Sequence, residues 1–397
     1  MLQMKDESHA AELSGASARG QVRRGAIIGA AAELFRRRGY PDVGIDDIGA
    51  VLDLSGPALY RYFTGKPGLL KAVIHGYIEE QNAAWIQQDP DVLTAVVSAA
   101  VRNPNGFAVY ASQHDYLDEA AWKEVAADRA RIRHAWDEHM ASIGVPRTGA
   151  DGRLRVIAVQ GMLLHASLSR RASRAVRISV AQDMGNRILR APVPSVTPVN
   201  PVDVSRSPLL HVGKREAILA AAGKQFSQRG FAAVTLRDIG QDVGLTPSAV
   251  SRHFPNKESI LSAAIDRAGQ QTAAAIASSL KNSLTPEGAV RDVVRRYCTL
   301  VVENSDIFNV NARLLGSLDP TKQKTGVQRR RQNVEELAAK IHDSVEGMTL
   351  PEARIRAGSV FSIANQVISQ ADLLSRPALS AELANICTHA IGASFNP

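Results

Sequence analysis

Residues 235–254 read TLRDIGQDVGLTPSAVSRHF and predict two short helices joined by a tight turn. Its first part predicts a short helix, because Thr235 followed three positions later by Asp238 is typical of an N-terminal cap. Apolar residues then recur at the spacing of one helix face. The residues expected to be buried on that face are Leu236, Ile239 and Val243.

The second part of the stretch predicts a tight turn and another short helix. Gly244 tolerates the left-handed backbone that such a turn requires. Thr246 is suited to cap the following helix, with Pro247 at the favoured first position. Val250 and Phe254 fall on the inward face, so the small and polar side chains between them face outward. A short capped helix of this kind can enter the major groove of DNA.

The same pattern occurs a second time, 191 residues earlier in the chain. Residues 44–63 read GIDDIGAVLDLSGPALYRYF, and 24–70 aligns without a gap on 215–261 with eighteen of 47 positions identical. Because roughly three matches would arise by chance at typical residue frequencies, we infer a duplication. Gly44 replaces the capping threonine and Asp53 replaces the turn glycine, so we expect a weaker cap in this copy.

Charge is concentrated in the two repeated segments. The 397-residue chain has a formal net charge of +8. Lys and Arg outnumber Asp and Glu by nine to five within 19–71 and by eight to three within 206–257. Positive charge confined to two segments indicates two surfaces that meet an anion.

The sequence does not favour catalysis, a cofactor or a metal site. It contains no phosphate-cradling glycine loop, no His-Glu-x-x-His pair and no nucleophile elbow. Its two cysteines are not at metal-ligand spacing, and no apolar run reaches the length of a membrane span. We therefore expect a cytoplasmic protein that is not an enzyme, binds neither cofactor nor metal, and does not enter a membrane.

The repeated stretch resembles the TetR family of transcription regulators. The family pattern is a Thr-x-x-x-Ile run, a Gly-Val-Ser turn, and a helix ending in Leu-Tyr-x-Tyr-Phe followed by a lysine. Both copies match its spacing, and the second copy departs from it where Ser251 replaces the usual tyrosine. The resemblance implies that double-stranded DNA is the partner. The DNA-binding residues that it implies are Ser55, Gly56, Pro57, Ala58, Tyr60, Arg61, Tyr62 and Lys66, and Thr246, Pro247, Ser248, Ala249, Ser251, Arg252, His253 and Lys257.

The remaining sequence has helical periodicity broken by prolines and no alternating strand pattern. With the resemblance, this predicts an all-α fold of two tandem TetR-like units, each an N-terminal three-helix helix-turn-helix domain followed by a helical-bundle regulatory domain. The predicted segments are a flexible N-terminal tail (1–20), a first helix-turn-helix domain (21–67), a first regulatory domain (68–190), a proline-rich linker (191–212), a second helix-turn-helix domain (213–258) and a second regulatory domain (259–397).

The resemblance also implies a small-molecule effector bound inside a helical bundle. The second regulatory segment has few aromatic residues and is expected to be mainly structural. Ordinary core packing is the competing explanation for each candidate wall residue in the first. The candidates are Trp85, Phe107, Tyr110, Trp122, Trp136 and His165.

The function predicted from these features is that of a sequence-specific DNA-binding transcription regulator, acting as a ligand-responsive repressor. Family members are homodimers on two-fold sites, and the duplication would supply both readers in one chain. We expect helix pairs near 151–190 and 350–394 to pack together as a covalent pseudo-dimer on an asymmetric or imperfectly palindromic operator. The alternatives are two chains presenting four modules, a constitutive architectural DNA-binding protein, and, with weaker support, a helical-bundle enzyme or small-molecule carrier.

Overall fold

A computed structural model describes residues 3–88, 91–145, 150–192, 213–392 and 395. These residues form α-helices joined by loops and short 3-10 turns, and they contain no strand, so the all-α prediction is confirmed. None of the described helices is both long and apolar enough to cross a bilayer. Most of the predicted proline-rich linker, residues 193–212, lies outside the described residues.

The described helices occur in the same order in the two repeats, with one short addition, α18, in the second. The first repeat contains α1 (Gln3–Arg38), α2 (Ile45–Val51), α3 (Gly56–Leu59), α4 (Gly65–Gln88), α5 (Val92–Arg102), α6 (Pro104–Gln113), α7 (Glu119–Ser142), α8 (Ala150–Ala166) and α9 (Arg174–Arg190). The second contains α10 (Lys214–Arg229), α11 (Leu236–Asp242), α12 (Pro247–His253), α13 (Lys257–Asn282), α14 (Pro286–Glu303), α15 (Ser305–Leu314), α16 (Pro320–Ser344), α17 (Leu350–Ile368), α18 (Ala371–Leu374) and α19 (Leu379–Ile391).

The first helix is longer than the sequence pattern predicts. We expected a flexible tail over 1–20, but α1 begins at Gln3 and runs without a break to Arg38. The tail segment contains alanine, glutamate and leucine and no proline, so its backbone can continue the amphipathic helix that follows.

The chain forms two compact units whose boundaries differ from those of the repeats. The first unit comprises Met1–Asp89 and Arg102–Arg133, and the second comprises Pro90–Val101 and His134–Pro397. The predicted first regulatory domain (68–190) is therefore divided between the units. The physical reason is that α8 and α9 pack on helices of the second repeat within the second unit.

Each helix-turn-helix module has its own apolar core. In the first unit, Ile27 and Phe35 of α1 are buried with Ile48 of α2, and α1 also packs on α4 and α6. In the second unit, Phe226 of α10 and Ile239 of α11 are buried in the same manner, and α10 packs on α13 and α15. The same apolar positions therefore build the same local fold twice.

A four-helix bundle of α8, α9, α17 and α19 lies within the second unit. The pair α8 and α17 forms the most extensive helix packing of the described chain. A Cβ atom at Gly161 would lie 2.6 Å from the Cα of Ile363 and 2.8 Å from the backbone oxygen of Ser362. The two backbones therefore touch at Gly161, where only glycine fits without displacement.

Two buried arginines occupy equivalent places in this bundle, 201 residues apart. Arg155 donates to the carbonyl oxygens of Leu189 and Ala191 at 2.6 and 2.7 Å. Arg356 donates to the carbonyl oxygens of Ala390 and Ile391 at 3.2 and 2.8 Å. Each arginine thus satisfies carbonyls at the C-terminal end of α9 or α19, which the helix itself leaves unpaired.

Candidate nucleic-acid interface

The turn between the second and third helices of each module depends on one glycine. The amide of Leu245 donates to the carbonyl oxygen of Gly240 at 2.8 Å, and Leu54 donates to Gly49 at 3.0 Å. A Cβ on Gly240 would lie 2.5 Å from the Leu245 oxygen, and one on Gly49 would lie 2.4 Å from the Leu54 oxygen. Each glycine allows the chain to fold back closely enough to place the third helix.

Replacing Gly240 with alanine is expected to lower the free energy of unfolding by about 2 kcal/mol, because the new methyl group meets a fixed backbone oxygen. DNA affinity should fall with it, since α12 must shift. Thermal unfolding and gel mobility shifts measure the two effects. Gly25→Ala is the control, because nothing lies within 4 Å of a Cβ there. Equal behaviour of the two variants would contradict the turn geometry.

The turn residues and helix caps agree with the sequence prediction in the second module. Asp53 and Gly244 both have positive φ, at 52° and 66°. Thr235 donates its amide to Asp238 Oδ2 at 2.8 Å, and the Asp238 amide donates to Thr235 Oγ1 at 3.2 Å. The Thr235 hydroxyl, which donates to Asp238 Oδ2 at 2.6 Å, and the Thr235 amide together lower the pKa of the Asp238 carboxyl. In the first module only the carboxylate half of the cap forms, because Gly44 has no side chain.

The two third helices differ in length. Helix α12 has seven residues, and Thr246 Oγ1 accepts a hydrogen bond from the Ala249 amide at 3.2 Å. Helix α3 has four residues, and Ser55 stands at its N-cap without a side-chain bond. An Asp46 oxygen also lies 2.7 Å from where a Cβ of Gly56 would be. A missing cap bond and a glycine at the first position favour the shorter helix.

The predicted contact residues are arranged on the outside of both modules. Tyr60 is 62% exposed, and the inward residues Leu59, Phe63, Val250 and Phe254 are buried. The half-buried members of the predicted set are Gly56, Ala58, Tyr62, Lys66, Ala249 and Lys257. The exposed members are Ser55, Pro57, Tyr60 and Arg61, and Thr246, Pro247, Ser248, Ser251, Arg252 and His253.

The lysine that follows each third helix is tied to its own module. Lys66 Nζ donates to the carbonyl oxygen of Pro41 at 3.1 Å and lies 4.4 Å from the ring centroid of Tyr40. Lys257 Nζ donates to the carbonyl oxygen of Phe231 at 2.6 Å and lies 4.4 Å from that ring. Partial burial lowers the pKa of both lysines. Each lysine therefore holds the loop after the first helix, a role that the sequence analysis missed, and its phosphate contact stays a prediction.

An arginine on the first helix of each module packs over the last inward aromatic residue. The Arg24 guanidinium lies 5.0 Å from the ring centroid of Phe63, and that of Arg215 lies 4.0 Å from Phe254. Arg215 also donates to the carbonyl oxygen of His253 at 3.1 Å. The matching arginines in the aligned repeat were the only sequence signal for this contact.

Charge near the third helix differs between the modules. Arg237 on α11 is exposed, whereas the equivalent position on α2 is Asp46, beside the start of α3. The turn also carries Asp53 in the first module and the uncharged Gly244 in the second. The second module thus presents the more positive surface, which favours contact with phosphate.

The model for bacterial regulatory proteins of the tetR family matches residues 27–73 and 218–264. The chain is a tetR-family protein with two DNA-binding domains. Over 148 residues it is 28% identical to the probable HTH-type transcriptional regulator ArpR and 27% identical to the HTH-type transcriptional regulator TtgR, both from Pseudomonas putida. Each match covers 37% of this chain and 68% of the relative.

Solved structures of tetR-family regulators resemble one half of the chain. The regulator PfmR from Thermus thermophilus is 26% identical with a TM-score of 0.39, over 44% of this chain and 92% of PfmR. A tetR-family protein from Rhodococcus is 22% identical with a TM-score of 0.39, over 45% and 96% of the two chains. The family assignment makes this chain a DNA-binding transcription regulator.

The six residues predicted to line an effector pocket of this tetR-family protein do not form one group. Trp85, Phe107, Tyr110 and Trp122 belong to the first unit, and Trp136 and His165 belong to the second. Phe107 is buried, with its ring centroid 5.4 Å from that of Tyr77. Of the six, only His165 lines the cavity described next.

A cavity of about 730 Å³ lies in the second unit, chiefly between helices of the second repeat. This finding differs from the expectation that the second regulatory segment is mainly structural. Few aromatic residues are needed, because aliphatic and arginine side chains form much of the wall. Its apolar lining includes Leu168, Ile265, Tyr297, Val334, Ile355 and Phe361, and its arginines are Arg170, Arg171, Arg329, Arg330, Arg331 and Arg354.

Proposed function

We propose that this tetR-family protein is a cytoplasmic, ligand-responsive repressor that acts as a covalent pseudo-dimer on an asymmetric operator. The observation that carries the proposal is the bundle of α8, α9, α17 and α19, which joins corresponding helices of the two repeats. Two-fold regulators pair identical helices from two chains, and a duplicated chain can pair its own.

Equivalent residues meet in this bundle, as a pseudo-two-fold relation requires. Gly161 contacts Ser362. Ser362 is the equivalent of Gly161 in the second repeat, because the two positions differ by the same 201 residues that relate Arg155 to Arg356. The carbonyls that the two arginines bind are related by a similar offset. A chance packing of unrelated helices gives no reason for this correspondence.

Different third helices support an asymmetric operator. The outward residues of α3 begin Gly56-Pro57 and those of α12 begin Pro247-Ser248, so the two modules offer different groups to base edges. The operator half-sites should differ accordingly.

One helix supports the ligand response, because α13 extends from the second DNA-binding module to the cavity. Its first residue, Lys257, holds the loop after α10, and Ile265 and Thr272 line the cavity. Asp266 on the same helix binds Arg329 at 2.6 Å. A ligand that favours one position of α13 would therefore bias the module, since differential affinity supplies the switching energy.

Matched arginines test which module contributes more to DNA binding. Arg61 and Arg252 are exposed and occupy equivalent positions. We expect Arg252→Ala to weaken binding to a selected operator more than Arg61→Ala, because α12 is longer and capped, and because α11 carries Arg237 where α2 carries Asp46. If each arginine contacts one phosphate, its loss lowers the slope of log affinity against log salt by about 0.9. Fluorescence anisotropy across a salt series measures both quantities.

Lys340→Ala is the control, because it removes a cation from α16 instead of from a module. Footprints of the two arginine variants should weaken in different halves of one operator. Loss in the same half for both variants would contradict the pseudo-dimer, and identical half-sites selected by the two modules would contradict the asymmetric operator. Uniform coating of DNA would instead indicate an architectural protein. Light scattering should give the mass of one chain.

A further inference from the structure

The cavity of the second unit is lined by both apolar side chains and arginines. Tyr297 is buried, and its ring centroid lies 4.8 Å from that of Phe361 in an edge-to-face contact. Ile265 and Ile355 are further apolar residues of the lining. A surface of this kind suits the hydrocarbon or aromatic body of a small molecule.

Three of the six arginines that line the cavity have an acidic partner. Arg329 binds Asp266 at 2.6 Å. Arg171 and Arg354 bind the two oxygens of Glu335 at 2.9 and 2.7 Å. These ion pairs neutralise part of the lining and hold its side chains in place.

Arg330 differs from these arginines. Among the described residues, it donates hydrogen bonds to the backbone oxygen and the side-chain oxygen of Asn311, the latter at 3.0 Å, and neither acceptor carries a charge. Loss of water around the guanidinium lowers the pKa of Arg330 to about 10, so it stays protonated at neutral pH. Arg330 is half-buried, and a partly desolvated charge without a counter-ion is unfavourable, so an incoming anion would stabilise it.

His165, another titratable group in the wall, does not compete for this role. His165 lies on α8, and burial lowers its pKa to about 4, so its ring is neutral at pH 7. Arg331 and Arg170 are exposed to water and hold their charge without that cost. Among the described lining residues, Arg330 is therefore the half-buried arginine that lacks an acidic partner, and an anionic ligand would supply one.

We propose that the cavity binds an amphipathic molecule with one carboxylate, which pairs with Arg330 while the apolar body lies against Tyr297 and Phe361. The guanidinium fork matches a carboxylate in shape and charge. The volume of about 730 Å³ falls within the usual range for small-molecule sites. This inference rests on the proposed ligand response and names the chemical class of the effector.

Octanoate and 1-octanol form a suitable pair of probes, because they share an alkyl chain and differ in the charged group. Calorimetry on the full chain without DNA is expected to give at least ten-fold tighter binding of octanoate. Equal affinities, or no binding of either compound at millimolar concentration, would overturn the proposal. This comparison needs no variant.

Substitution then assigns the preference to one side chain. Arg330→Met keeps an apolar stem of similar length and should abolish the preference for octanoate while leaving 1-octanol affinity unchanged. Arg331→Met is the matched control on the next residue, where the preference should persist. A full preference for octanoate in a folded Arg330→Met protein would contradict the assignment of the carboxylate contact to Arg330.

The ligand measurement and the DNA measurement test the two proposals independently. If the protein binds its operator but does not prefer octanoate, the carboxylate site is contradicted and the DNA-binding pseudo-dimer is not. If the protein binds octanoate selectively but prefers no DNA sequence, the proposed function is contradicted and the carboxylate site is not.

Discussion

Replacing Gly161 with valine is expected to force α8 away from α17 and to lower the free energy of unfolding by about 3 kcal/mol. The effect is large because the obstacle is main chain. The Ile363 Cα and the Ser362 oxygen both lie within 2.8 Å of the position that a Cβ would take. Neither atom can rotate away as the end of a side chain can, so the helices themselves must separate.

Urea unfolding followed by circular dichroism measures this loss. Gly29→Ala provides the control, since Gly29 is an exposed glycine within α1 with no atom near its Cβ position. Alanine there should stabilise the helix by up to about 1 kcal/mol. An unchanged unfolding midpoint for Gly161→Val would mean that α8 and α17 do not meet as described.

Arg356→Met should be the second most damaging change, with a loss of about 3 kcal/mol. The substitution removes two hydrogen bonds to carbonyls at the end of α19, and it removes an ion pair of 2.7 Å with Asp183 on α9. Buried carbonyls left without a donor make up most of the expected cost.

Arg155→Met is the matched comparison, and we expect a smaller loss. Arg155 makes the same two carbonyl bonds, but Asp151 acts on it only through its charge, and burial lowers the pKa of Arg155. Keeping Arg155 charged in the folded protein is therefore unfavourable, and replacement by methionine removes this unfavourable contribution to the free energy of folding. Chemical unfolding of both variants tests the order. A larger loss for Arg155→Met would contradict the role of Asp183.

The DNA-binding modules could be predicted from sequence because their signals are local. The cap of Thr235 with Asp238, the left-handed turn at Gly244 and the inward spacing of Val250 and Phe254 all act within a few residues. The capping bonds and buried faces agree with the prediction for this reason. A local rule also explains the poorer cap at Gly44.

The bundle contacts and the cavity depend on residues far apart in the chain. Gly161 meets Ile363 across about two hundred positions, and neither residue carries a local signal of that contact. Residue type alone identifies the aromatic candidates for the cavity wall, whereas the cavity is formed by helices that tertiary packing brings together. Sequence alone does not distinguish Arg330 from its neighbours, because the acidic partner of Arg329 and the exposure of Arg331 are set by tertiary packing.

Because α8 and α17 belong to one polypeptide, their association does not weaken on dilution. A regulator assembled from separate subunits loses its partner when its copy number falls below the dissociation constant of the dimer. Here the linkage fixes the local concentration of one helix pair around the other. Operator occupancy should therefore rise in simple proportion to the number of chains at low abundance, without the square dependence of a dissociating dimer.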